Sequence, residues 1–94
     1  MQKYELMLVT TADFPHEDEK KRTDLVKKLL SDQTISDLVI VDMGKKHLAY
    51  EIQKKTEGCY FLVTFAGEGV NIGAIEQQVK LQLMVLRYLL TKKD

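Results

Sequence analysis

Ile35-Ser36-Asp37-Leu38-Val39-Ile40-Val41-Asp42-Met43-Gly44-Lys45-Lys46-His47-Leu48-Ala49-Tyr50-Glu51-Ile52 runs into the polar turn Gln53-Lys54-Lys55-Thr56-Glu57-Gly58 and then into Cys59-Tyr60-Phe61-Leu62-Val63-Thr64-Phe65-Ala66. Two runs rich in β-branched and aromatic residues, joined by a short polar segment, read as a β-hairpin. The first arm is about eighteen residues long, where a mean strand has roughly six. Gly44 within it predicts a bulge or bend that relieves the twist.

Upstream of the hairpin, Lys3 to Thr10 alternates with period two and predicts a strand with Tyr4, Leu6 and Leu8 on one face and Lys3, Glu5, Met7 and Val9 on the other. After a connection at Thr11 to Phe14, Pro15 suits the first turn of a helix, and Glu17, Asp18 and Glu19 complement its positive end. Leu25, Val26, Leu29 and Leu30 form its apolar stripe; Lys20, Lys21, Arg22, Lys27 and Lys28 cover much of the rest as a solvated face. Downstream, Asn71 is an N-cap for a second helix with Ile72, Ile75, Val79 and Leu83 on one stripe. Val85 to Lys92 reads as a closing strand.

The order is therefore strand, helix, strand, strand, helix, strand. Two crossovers sharing one sheet give a single α+β domain over residues 1–94: a ferredoxin-like βαββαβ arrangement of four antiparallel strands with both helices on one face. Phe61, Val63 and Phe65 are assigned to the core. The other face then collects Met7, Tyr60, Leu62, Arg87 and Leu89, an apolar surface with one cation that implies a partner or a covering by the long hairpin arm.

Ninety-four residues, 45% of them hydrophobic, suit one domain with a modest core. No run approaches the roughly 20 apolar residues of a membrane span, and the first residues read as a polar-flanked strand in place of a signal peptide. One cysteine, Cys59, excludes an internal disulfide, and His16 and His47 lack metal-ligand spacing. A cytoplasmic protein without metal or cofactor is expected.

Catalysis needs a nucleophile with a base, paired carboxylates or a phosphate-cradling glycine loop. None stands out, so no catalytic residue is assigned and no small-molecule substrate is expected. Cys59 reads as a small hydrophobe. An acylphosphatase, which shares the element order, would need an arginine in a glycine-rich loop after the first strand, and Thr11-Ala12-Asp13-Phe14 has neither. Lysine plus arginine equal aspartate plus glutamate at 14 each, so charge distribution must carry any case for nucleic acid. Lys45-Lys46-His47 after Gly44, with Lys3 and Arg87 on neighbouring strands, are candidate phosphate contacts. Tyr60 on the open face is placed to stack a base or pack on a protein. Lys54 and Lys55 read as solubilising an exposed edge.

Tyr4-Glu5, then Gly44-Lys45-Lys46-His47-Leu48-Ala49-Tyr50-Glu51-Ile52, then Gly58 and Tyr60, and finally Val85-Leu86-Arg87-Tyr88-Leu89 resemble, in order and spacing, the bacterial small-subunit ribosomal protein six family. The resemblance covers nearly the whole chain. It implies a structural, non-catalytic ribosomal protein that binds the central domain of small-subunit ribosomal RNA (rRNA) with small-subunit ribosomal protein eighteen. It also implies that Lys3, Lys45, Lys46, His47 and Arg87 face the RNA, while Met7, Tyr60, Leu62 and Leu89 belong to the open or partner-binding face. Gln2 stands where that family usually places arginine, and Glu51 replaces its usual proline, leaving a backbone N–H free for pairing. The alternative reading is a ferredoxin-like regulatory or oligomerisation module that pairs through its open sheet face.

Overall fold

The computed structural model describes residues 2–31, 33–52 and 54–93. The hairpin arms are β2 (Ile35–Ile52) and β3 (Lys55–Gly67). They follow β1 (Gln2–Thr11) and α1 (Glu19–Leu29) and precede α2 (Ile72–Leu81) and β4 (Val85–Lys93). The four strands make one antiparallel sheet in the order β2-β3-β1-β4, the predicted ferredoxin-like arrangement.

The period-two alternation decides what is buried. Tyr4, Leu6 and Leu8 of β1 share a core with Phe61, Val63 and Phe65 of β3, and Leu25, Val26, Leu29, Ile75 and Val79 of the two helices close it from one side. Each such side chain withdrawn from water contributes about 1.5–3 kcal/mol. Tyr4 and Phe65 are register partners whose rings stack with centroids 5.3 Å apart. Asn71 caps α2 as expected: its Oδ1 accepts from the Ala74 N–H at 3.1 Å.

Three boundaries differ from the sequence reading. Pro15 lies outside α1, which starts at Glu19 with Asp18 as N-cap, its Oδ1 accepting from the Lys21 N–H at 3.2 Å. The delay has a cause in packing: Phe14 is buried edge-on against Phe61, so the chain must first dip into the core. Leu83 leaves the α2 stripe because the helix stops at Leu81; a tight turn, with the Val85 N–H donating to the Gln82 carbonyl, then turns Leu83 outward to 93% exposure. The hairpin turn is shorter than Gln53 to Gly58. Lys55 is already paired with Ile52, and Lys54 supplies a left-handed φ of 64°; Gln53 lies outside the described residues.

β2 has 18 residues and β3, its partner, 13. Register shifts between Ser36 and Val39, Asp42 and Gly44, and His47 and Ile52 absorb the excess. The second is the bulge expected at Gly44, whose φ of +86° suits a residue without Cβ. The third is the largest. Leu48 to Glu51 stand opposite Thr56 alone, so the backbone N–H freed at Glu51 does not extend a regular ladder. This slack lets the end of β2 arch across the open face.

Candidate nucleic-acid interface

On the face away from the helices, register partners line up as rows across the sheet. Val41, Leu62, Met7 and Leu89 form one apolar row from edge to edge, with Val41 47% and Leu89 61% exposed. The next row is Gly44, Tyr60, Val9 and Arg87. All four predicted open-face residues thus share one face, joined by Val41 and Val9.

The arched end of β2 makes a strap over this face. Leu48, Tyr50 and Ile52 face Met7, Val9 and Leu89 across a cavity of about 300 Å³. Beneath the strap Val9 is only 6% exposed. Gly58 is where the strap crosses β3: a Cβ there would lie 2.8 Å from both the Thr10 carbonyl oxygen and Val9 Cγ1, and 3.4 Å from Leu48 Cδ2.

Two cations sit beside aromatic rings on this surface. Lys46 Nζ lies 5.8 Å from the Tyr60 ring centroid, and Arg87 Cζ 5.2 Å from that of Tyr50, with Arg87 Nη1 donating to the Tyr50 hydroxyl. Tyr60 is half-buried under Lys46, while Tyr50 is 58% exposed. In the sequence Tyr50 is only one position of the run Leu48-Ala49-Tyr50-Glu51-Ile52. Its place beside Arg87 depends on the arch and has no local signal.

The predicted phosphate contacts divide into three groups. Lys46 and Arg87 share the open face. Lys45 pairs with the buried Cys59, so it and His47 point to the opposite side of the arm, as alternation along a strand requires. There the Thr11 side chain, with Lys55 and Lys45 at longer range, holds the Asp13 carboxyl below the usual carboxylate range. Lys3 is on the open face but at its far end, opposite Lys93 and roughly 20 Å along β1 from Val9 at about 3.4 Å per residue. Lys93 Nζ lies 2.9 Å from Glu5 Oε2.

The bulge that aims Lys46 is anchored from below. His16 Nδ1 lies 2.9 Å from Asp42 Oδ2, and Asp42 Oδ1 accepts from the Gly44 N–H at 2.9 Å. Arg22 Nη1 donates to the His16 carbonyl at 2.8 Å, tying the same loop to α1. Burial pushes the Asp42 carboxyl up, but hydrogen bonds from His16 and Gly44 and the nearby positive charge outweigh it and hold it below its usual value. Cys59 behaves as a hydrophobe: it is fully buried, and burial pushes its thiol up. Among the described residues no group of His, Cys, Asp and Glu side chains could hold a metal ion, and no helix is long and apolar enough to cross a membrane.

A helix-backed antiparallel sheet whose other face is open and carries an apolar row and ring-paired cations defines a ferredoxin-like domain. The sequence model of the ribosomal protein S6 family matches residues 3–92, and the chain belongs to that family of small-ribosomal-subunit proteins. It is similar to small ribosomal subunit protein bS6 of Picosynechococcus sp., at 37% identity over 97% of this chain and 79% of that protein. The bS6 of Desulfitobacterium hafniense is 32% identical over 100% of this chain and 99% of its own length. Among solved structures, the crystal structure of 30S ribosomal protein S6 from Thermotoga maritima superposes with a TM-score of 0.78 at 25% identity, covering 98% of this chain and 87% of that one.

Proposed function

We propose that this chain is a non-catalytic assembly component that binds the central domain of small-subunit rRNA together with ribosomal protein eighteen. Membership of the ribosomal protein S6 family supports the ribosomal role. The observation that carries the finer reading is the juxtaposition on one face of Lys46 and Arg87 with the row Val41, Leu62, Met7 and Leu89. Exposed cations on one face suit phosphates, and an apolar row of this exposure suits a protein partner. Lys46 and Arg87 are the phosphate contacts of the open face; Lys45 and His47 flank it from the other side of the hairpin, and Lys3 reaches a separate stretch of backbone. With a net charge of zero, the chain relies on its partner for much of the attraction to RNA.

The test is a titration onto a central-domain rRNA fragment, with and without ribosomal protein eighteen, at two salt concentrations. Tight, salt-dependent binding only with both proteins present is expected. A salt-insensitive homodimer that ignores RNA and partner alike would instead support an oligomerisation module pairing through the open face.

A further inference from the structure

We infer that Tyr50 is a positioning residue for Arg87: the strap holds the guanidinium in place before any RNA arrives, and Tyr50 does not itself contact the RNA. This rests on the RNA-binding reading above but concerns a different residue.

Three observations carry it. The register shift between His47 and Ile52 lifts Leu48 to Glu51 off β3, and this carries Tyr50 across two strands to the β4 edge. There Tyr50 meets Arg87 in two ways, through the hydroxyl that accepts from Nη1 and through the ring 5.2 Å from Cζ. Beneath it, Leu48 and Ile52 rest over the cavity above Met7 and Leu89, so the strap has an apolar footing and is more than a loose loop.

The chemistry follows from the guanidinium's five donors. One is taken by the Tyr50 hydroxyl, and the others, on an exposed residue, are free for a phosphate. An arginine on an exposed strand must otherwise give up its rotamer freedom when it binds. Holding it in advance moves that loss from binding to folding, worth about three- to tenfold in affinity for one long side chain. Tyr50 carries no charge, so it alters the strength of the phosphate contact without changing how many counterions are released.

The experiment is a double-mutant cycle read by rRNA-fragment affinity with ribosomal protein eighteen present, using Tyr50→Ala, Tyr50→Phe, Arg87→Ala and the Tyr50→Ala/Arg87→Ala pair, each checked for folding by thermal melting. Tyr50→Ala should weaken binding about three- to tenfold with the salt slope unchanged. Tyr50→Phe, which keeps the ring, should recover part of that loss. In the Arg87→Ala background, Tyr50→Ala should cost nothing further. Additive losses would overturn the inference and make Tyr50 an RNA contact in its own right. So would an unchanged affinity for Tyr50→Ala where Arg87→Ala weakens binding. If Arg87→Ala also binds normally, the RNA role assigned to this face fails, and the positioning role with it.

Discussion

His16 and Asp42, one in the loop after β1 and the other at the bulge of β2, are joined by a 2.9 Å contact between Nδ1 and Oδ2. The partners are mostly buried, at 18% and 21% side-chain exposure, and the same carboxylate accepts from the Gly44 N–H. The bulge that points Lys46 to the open face is therefore fixed by a side chain from the opposite layer.

His16→Ala should cost about 1–3 kcal/mol, because it strands a largely buried acceptor. In a domain of this size that lowers the melting temperature by roughly 4–8 °C per kcal/mol. The pH dependence has a definite sign. The folded-state value of Asp42 lies below its ordinary 3.8, so its contribution is present above 3.8 and is lost as pH falls through the folded value. Acid titration of stability, followed by circular dichroism, should show a shallower loss below that point for Asp42→Asn than for the wild type. Equal acid limbs would remove Asp42 from the account.

Gly58 makes a sharper test of the strap crossing than Gly44 does. A Cβ at Gly44 meets nothing within 4 Å, so Gly44→Ala costs only the left-handed backbone, about 1–2 kcal/mol. At Gly58 the added carbon would press on the Thr10 carbonyl, which belongs to the central strand and has no rotamer to yield. Gly58→Ala should therefore cost about 1–3 kcal/mol through displaced backbone, and should also raise amide exchange at the paired β1 residues Val9 to Thr11 beneath it. Amide exchange by mass spectrometry separates the two variants: Gly44→Ala leaves Val9 to Thr11 protected.

Much of this fold is legible in local sequence. The alternation through Tyr4, Leu6 and Leu8 and through Phe61, Val63 and Phe65, the stripe of α1, the Asn71 cap and the Gly44 bulge each follow from residues within a few positions of one another. The misplaced helix start and the Leu83 assignment were decided at longer range, by Phe14 reaching Phe61 and by the turn that feeds β4. The site divides the same way. The open face follows from strand parity, as does the separation of Lys45 from Lys46. The strap does not, since it depends on register shifts accumulated against a second strand. Hence Tyr50, His16 and Val41 had no role before the sheet was assembled.

The division of the basic cluster predicts different salt responses for adjacent lysines. Lys46→Ala and Arg87→Ala should each lower the slope of log affinity against log salt by about 0.7–0.9, the loss of one phosphate contact. Lys45→Ala should change it less, because Lys45 faces away, towards Asp13. Neither open-face variant should change stability by more than its exposed position allows, about 0.5 kcal/mol. Equal slopes for Lys45→Ala and Lys46→Ala would mean that RNA wraps both sides of the hairpin.

Leu89 separates folding from partnership on the apolar row. It is 61% exposed at the β4 edge strand, where it contributes little to the core, yet it ends the row that begins at Val41. Leu89→Ser should leave stability within about 0.5 kcal/mol of the wild type. If ribosomal protein eighteen seats on this row, the same substitution should weaken the pair by more than about 1 kcal/mol, several-fold in affinity by calorimetry. Val41→Ser at the opposite edge extends the test across the full width of the sheet. Loss for Leu89→Ser alone would confine the partner to the strap side, and loss for both would require it to span all four strands. Unchanged binding for both would move the protein partner off the open face and leave that surface to RNA.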